Sequence, residues 1–126
     1  MSNKRLLIDF DRVVHQYSKG WKDGSIYDAP VPGALEAIKT LQSQGWEIVI
    51  FTTRSTDGNI RNKKIQNWLL KFDICSHCIG LIHDINKLNF KPNQVLITNT
   101  KIPARAIIDD RAIRFTNWRD ILNYFI

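Results

Sequence analysis

The chain has 126 residues, of which 44% are hydrophobic and 24% charged, with a formal net charge of +6. These values are typical of one globular domain, and the sequence contains no low-complexity tract and no internal repeat. No apolar run is long enough to cross a bilayer, and the apolar stretch before Asp9 is too short for a signal peptide, so we expect a cytoplasmic protein without a membrane partner. The basic balance favours anionic partners such as phosphorylated metabolites or nucleic acid, although solubility alone is the simpler explanation.

Apolar runs and helical spacing divide the first half of the chain into alternating strands and helices. The first apolar run is short and uninterrupted, which is typical of a strand buried in a parallel sheet. We expect the first helix to begin at Pro32 and to end at Gly45. The predicted elements are a strand at Lys4–Ile8, a loop at 15–31, a helix with its apolar face on Leu35, Ile38 and Leu41, a strand at Trp46–Phe51, and a helix capped by Ser55, Thr56 or Asp57 that buries Ile65, Trp68, Leu69 and Phe72.

The second half of the chain has shorter and less regular apolar runs. They predict a strand at Ile79–Ile82, a loop at Asn86–Asn93, strands at Val95–Thr98 and Ala106–Ile108, an edge strand at Ile113 and Phe115, and a last helix from Trp118 that buries Trp118, Ile121, Leu122 and Phe125. The Ala106–Ile108 strand is expected to be buried. Strands that alternate with helices predict an α/β domain with a mainly parallel sheet.

Polar side chains, most of them acidic, follow several predicted strands at or near the point where each strand ends. In a parallel sheet these ends share one edge, and ligands bind beyond it. Carboxylates crowded there raise one another's pKa values, and a magnesium ion would relieve the repulsion through all-oxygen ligation. The side chains concerned are Asp9, Asp11, Thr52, Lys101, Asp109 and Asp110.

These residue types suit phosphoryl transfer. A carboxylate beside magnesium can attack phosphorus and form an aspartyl-phosphate. A threonine hydroxyl and a lysine ammonium can bind the charged oxygens of the transition state. A second carboxyl group two residues after the nucleophile could protonate the leaving alkoxide and then activate water.

In its motifs and their order, the sequence resembles the haloacid dehalogenase-like (HAD) phosphohydrolases. The family's first motif, Asp-x-Asp-x-Thr/Val, is matched by Asp9-Phe10-Asp11-Arg12-Val13. Its second, third and fourth motifs are matched by Thr52, by Lys101 and by the pair Asp109-Asp110. The match covers nearly the whole chain, and it implies a single three-layer Rossmann-like domain over residues 1–126.

The resemblance also implies a role for each matched residue. Asp9 would be the nucleophile and Asp11 the general acid and base. Magnesium would be held by Asp9, the Asp11 backbone carbonyl and the acidic pair, with Asp110 as the direct ligand of the two. The phosphoryl group would be bound by Thr52 and Lys101. Thr53 is the alternative to Thr52, and the alternatives to Lys101 are Lys64, Lys87 and Lys91.

Arg12 departs from the family pattern, which commonly has glycine at this turn. Arginine tolerates a positive φ poorly, so we expect either a different turn or an Arg12 side chain that reaches an anionic substrate. The loop that follows forms a flap over the active site in the family. Here it carries His15, Tyr17, Trp21 and Lys22, for which ordinary loop packing is the alternative.

The spacing between motifs leaves no room for a sizeable cap domain, so the site should be open. Open sites suit large substrates such as nucleic-acid ends or proteins, and they also occur where an oligomer partner supplies the lid. We therefore expect a magnesium-dependent phosphatase acting on a small molecule or on a nucleic-acid 3′ end. The alternatives are a phosphate-receiving module and a non-catalytic binding domain. Cys75 and Cys78 lack a second pair of zinc ligands at the usual spacing and are expected to be core residues.

Overall fold

The computed structural model describes residues 4–54 and 60–125. Over these residues strands alternate with helices, which confirms the predicted α/β class. The strands are β1 (Arg5–Asp9), β2 (Glu47–Phe51), β3 (Cys75–Gly80), β4 (Gln94–Thr98) and β5 (Ala106–Ile108), and the α-helices are α1 (Ala34–Ser43), α2 (Ile60–Leu70) and α3 (Trp118–Phe125). The predicted cap at Ser55, Thr56 or Asp57 lies outside the described residues.

The strands form one sheet in the order β3-β4-β2-β1-β5, and every pairing between them is parallel. The uninterrupted apolar runs of β1, β2 and β4 occupy the three inner positions, where both faces of a strand are covered. All carboxyl ends lie at one edge of the sheet. In the register of β1, Ile8 pairs with Ile50 on one side and with Ile108 on the other.

The two faces of the sheet are covered differently. Helices α1 and α2 pack on one face, where Ile38, Ile65 and Leu69 join the main apolar core. The opposite face carries Leu7, Val49 and Leu96, and segments between β3 and β5 cover it, with Ile102 as the buried contact. Within the described residues, no α-helix packs on this second face.

Helix α1 ends as its sequence predicts and begins two residues later than expected. Gly33, with φ 84°, precedes the helix, so Pro32 lies outside it. At the other end Gly45 takes φ 88°, and its N–H donates to the carbonyl of Gln42 while that of Trp46 donates to Leu41. This pair of bonds is the Schellman arrangement, which uses the freedom of glycine at positive φ.

Three strand predictions need correction. β3 begins at Cys75 rather than Ile79, because its polar edge position lacks the apolar run by which a buried strand is recognised. Ile113 and Phe115 lie in irregular structure and form no edge strand. β5 is not buried, since it is an edge strand and the side chains of Ile107 and Ile108 are 44% and 42% exposed.

The prediction that α3 buries its apolar side is also wrong. Trp118 and Phe125 are 71% and 74% exposed, Leu122 is exposed, and the helix contacts no other strand or helix in the described part of the chain. Helical spacing identifies a continuous apolar side but does not identify the surface that covers it. Among the described residues, no helix is long and apolar enough to span a membrane.

Candidate active site

Three carboxylates meet where β1 and β5 end. Because Ile8 pairs with Ile108, the next residues of the two strands are Asp9 and Asp109, with Asp110 following. One carboxylate oxygen from each of these three residues lies within 4.8 Å of the other two. The acidic pair, separated from Asp9 by about a hundred residues of sequence, is thus brought to it as the sequence predicts.

Asp9 has an unfavourable environment for its charge. The pKa of Asp9 is raised to about 6, mainly by burial and also by the neighbouring charges of the acidic pair and Asp11. The N–H of Phe10, which donates to Asp9 Oδ1 at 2.8 Å, opposes this rise. A hard divalent cation would neutralise this cluster, and all-oxygen ligation is what magnesium prefers. The donor set therefore fits magnesium.

Replacing Asp9 by Asn is expected to stabilise the metal-free protein at pH 7.5 by about 1–2 kcal/mol. The folded-state pKa is above the unfolded value, so folding takes up a proton near pH 5, and stability falls as pH rises through 6. The full pKa shift would correspond to about 3 kcal/mol, and we expect less because the carboxylate also contacts solvent. Asn keeps an oxygen that can accept the Phe10 bond.

The measurement is urea unfolding in EDTA at pH 4 and pH 7.5, with Asp73→Asn as the control at an exposed position outside the cluster. The gain from Asp9→Asn should shrink towards zero at pH 4. An equal gain at both pH values would contradict a cost that arises from the charge of Asp9.

Asp11 does not belong to the three-carboxylate cluster, and its carboxylate contacts two other side chains. Arg54 donates from Nε to Oδ2 at 2.9 Å and from Nη2 to Oδ1 at 2.8 Å, which is a bidentate ion pair. His15 Nδ1 lies 2.9 Å from Oδ1. A carboxylate has about four acceptor sites, so these contacts leave one on Oδ2.

The partners of His15 assign its tautomer. Its Nε2 accepts the backbone N–H of Asp28 at 3.1 Å, so Nδ1 carries the proton and donates to Asp11. The ring is fully buried and stacks on Phe10 with a centroid separation of 5.4 Å. His15 therefore orients the carboxylate of Asp11 rather than facing solvent.

Arg12 occupies the tight turn after the first motif with φ 70°, the left-handed conformation that favours glycine. Its N–H donates to the carbonyl of His15 at 2.6 Å, which closes the turn. Arg12 thus adopts the positive φ that arginine is expected to avoid, and contact of its side chain with an anionic substrate stays a prediction. The Arg12 side chain is exposed, with its guanidinium carbon 5.8 Å from the ring centroid of Tyr17.

A cavity of about 520 Å³ opens at this edge of the sheet. It brings together the acidic cluster, the turn, the following loop and the residues after β2. Its lining residues are Asp9, Asp11, Arg12, Tyr17, Trp21, Phe51, Thr53, Arg54, Arg61, Asp109, Asp110 and Arg111.

The predicted phosphate-binding residues divide into two groups. Thr53 and Arg12 line the cavity. Thr52 is buried, and its hydroxyl accepts the N–H of Arg54 at 3.1 Å, so it supports the cavity wall. Lys101 is exposed in the segment between β4 and β5 and is not among the described lining residues.

Sequence analysis missed Arg54, Arg61 and Arg111 as parts of the site. Arg54 follows a predicted strand directly, and an arginine in that place is ordinarily exposed. Here it is 6% exposed because it pairs with Asp11, 43 residues away in sequence. The detectable clue is position, since Arg54 and Arg111 each come just after a strand end that carries predicted site residues.

Cys75 and Cys78 lie on β3, and three-residue spacing places them on opposite faces of a strand. Cys75 is exposed, contrary to the expectation of a core residue, and Cys78 packs partly against the main core. Burial raises the pKa of the Cys78 thiol to about 11. Among the described residues, neither cysteine belongs to a cluster of three or more metal-ligating side chains.

Comparison with protein-family models, with curated proteins and with solved structures found no match to this chain.

Proposed function

We propose that this protein is a magnesium-dependent phosphatase that moves the phosphoryl group of a monoester first to Asp9 and then to water. The observation that carries the proposal is the pair of carboxylates Asp9 and Asp11. They lie two residues apart and have different surroundings, one within an acidic cluster and the other held by Arg54 and His15. Two carboxylates in contrasting environments are the usual arrangement for two separate catalytic roles.

In the first step a carboxylate oxygen of Asp9 attacks phosphorus, and the bond between phosphorus and the ester oxygen breaks. Asp11 gives a proton to the leaving alkoxide. Asp11 begins this cycle protonated and becomes a carboxylate when it has given up that proton. In the second step a water molecule attacks the phosphorus of phospho-Asp9 while Asp11 takes a proton from that water, which releases phosphate, restores the Asp9 carboxylate and returns Asp11 to its protonated form. The proton is carried on Oδ2 of Asp11, the oxygen with an unused acceptor site.

Magnesium would be held by Asp9, the Asp11 backbone carbonyl and the acidic pair, with Asp110 as the direct ligand and Asp109 beside it. When bound, the ion supplies charge neutralisation that allows an anionic nucleophile to approach an anionic phosphate. Thr53 and Arg12 line the cavity and are proposed to bind the phosphoryl oxygens, supported by Thr52. The proposed role of Lys101 requires its exposed side chain to turn towards the cavity.

The proposal includes membership of the haloacid dehalogenase-like group without a cap domain. In the described residues, β1 and β2 are separated by a loop and α1 only, and β2 and β4 by α2, β3 and a 3₁₀ helix at Ile85–Lys87. The cavity is consequently open to solvent on one side, and a small phosphorylated molecule or a nucleic-acid end could enter it.

The test is phosphate release from p-nitrophenyl phosphate with magnesium and with EDTA. We expect turnover with magnesium, none with EDTA, and recovery when magnesium is restored in excess over the chelator. Equal rates with and without the chelator would contradict metal dependence. Absence of turnover on small esters and on a 3′-phosphorylated oligonucleotide would contradict the proposed function.

A further inference from the structure

Trp21 and its surroundings are not used by the chemistry proposed above. This indole lies at the cavity wall and is 48% exposed, on a loop whose other aromatic residues are mostly covered. Single exposed aromatic side chains are common and need no explanation. Trp21 differs because several contacts fix it in place beside the candidate catalytic residues.

Two guanidinium groups hold the indole. The guanidinium carbons of Arg54 and Arg61 each lie 5.2 Å from its ring centroid. Since Arg54 is buried and pairs with Asp11, Trp21 is separated from that carboxylate by the width of one guanidinium group. The exposed part of the indole therefore lies close to where a phosphoryl group would bind.

Gly24 leaves the space that the indole of Trp21 occupies. Gly24 is at φ +85°, and a Cβ atom there would lie 3.3 Å from two ring carbons of Trp21 and 3.4 Å from Nε of Arg61. A larger residue at this position would push the indole away. The carbonyl of Gly24 accepts a bond from Arg54 Nη1 at 3.0 Å, which fastens this loop to the same arginine.

The charged groups in contact with the indole are the two guanidinium groups, which favours an anionic ligand there. The cavity lining as a whole carries four arginines and four aspartates, and the guanidinium of Arg12 has no acidic partner among the described residues. Flat aromatic and guanidinium surfaces beside cationic groups are how proteins bind nucleobases that carry phosphate. A phosphate ester without a ring would leave the exposed indole unused.

We infer that the cavity takes a phosphorylated nucleotide whose base stacks on Trp21, with Arg61 at its side, while its phosphate faces Asp9. This inference rests on the proposed function for the position of the phosphate. The nucleotide could be free or could be the end of a strand, because both present the same base and phosphate.

The test is calorimetric binding to the Asp9→Asn protein with magnesium, which avoids turnover. Adenosine 5′-monophosphate should bind about 5- to 150-fold more tightly than ribose 5-phosphate, the range expected for stacking one base. Adding Trp21→Ala should abolish that difference, and adding Trp118→Ala, at an exposed tryptophan that is not among the lining residues, should preserve it.

A 3′-phosphorylated trinucleotide serves as the second arm. Tighter binding than adenosine 3′-monophosphate identifies a strand end as the source, and equal binding identifies a free nucleotide. Equal affinity for adenosine 5′-monophosphate and ribose 5-phosphate, or equal losses in the two tryptophan variants, would overturn the inference. Failure of the proposed function would show differently, as absence of phosphate release from every ester by the unmodified protein.

Discussion

Asp9→Asn is expected to lower phosphate release from p-nitrophenyl phosphate by about 10⁴-fold or more, the scale on which loss of a nucleophile acts. The amide is nearly the same size as the carboxylate, but it cannot form the aspartyl-phosphate. Initial rates at saturating magnesium measure the effect. Far-UV circular dichroism of the same preparation checks that the fold is retained.

Asp11→Asn is the matched variant two residues away, and it should fail at a different step. The p-nitrophenolate leaving group needs no proton, so Asp9 should still be phosphorylated, while attack by water should slow by about 10²- to 10⁴-fold. Stopped-flow absorbance should show a burst of about one p-nitrophenolate per protein followed by slow turnover. Comparable turnover in Asp9→Asn and unmodified protein would contradict the assignment of Asp9 as the nucleophile. A burst in Asp9→Asn instead of Asp11→Asn would exchange the roles of the two carboxylates.

Arg54→Met is expected to lower the free energy of unfolding by about 3 kcal/mol, because it leaves the Asp11 carboxylate without its cation and the Gly24 carbonyl without a donor. Arg54→Lys should recover only part of the loss, since an ammonium cannot reproduce the two-pronged contact. Urea unfolding measures both variants. Arg114→Met, at an exposed arginine, is the control and should change stability by less than about 0.5 kcal/mol.

A double-mutant cycle separates the ion pair from the general effect of losing a buried side chain. If the pair is responsible, Arg54→Met combined with Asp11→Asn should be less destabilising than the sum of the single changes, by about 1–3 kcal/mol. Strict additivity would show that Arg54 acts mainly through its contacts with Gly24 and the aromatic rings.

The parts of the fold that could be predicted are the buried elements, because each of them has a continuous apolar run or a regular apolar spacing. Strands β1, β2 and β4 are continuous apolar runs, and their parallel order follows from the helices between them. The meeting of Asp9 with Asp109 follows in turn, because both residues end neighbouring strands. The acidic cluster is therefore predictable from the sequence alone.

Elements at the edge of the sheet could not be located in this way. β3 is polar and half exposed, so its first residues resemble a loop. α3 has a clear apolar side, but periodicity carries no information about distance, and no described element covers that side. The same limit explains why β5 was expected to be buried.

The surroundings of Asp11 depend on contacts between residues far apart in sequence. Arg54 contacts both Asp11 and Gly24, and Trp21 packs beside the same guanidinium. No local pattern specifies such a contact, because each residue alone is compatible with an exposed loop. The hydroxyl of Thr52, which the family resemblance assigns to phosphate, accepts the N–H of Arg54 in the fold, and this contact too was not predictable from the local sequence.

The position of β5 has a consequence for how the ends of the chain are joined. β5 has three residues and, within the described part of the chain, pairs with β1 alone and has no strand on its outer edge. A cation shared by Asp9 and the acidic pair would act as a clasp between the first and last strands, closing a loop of about a hundred residues. Binding of the cation would then slow amide hydrogen exchange most strongly in β5. Cation binding and the pairing of β5 with β1 would thus be thermodynamically linked.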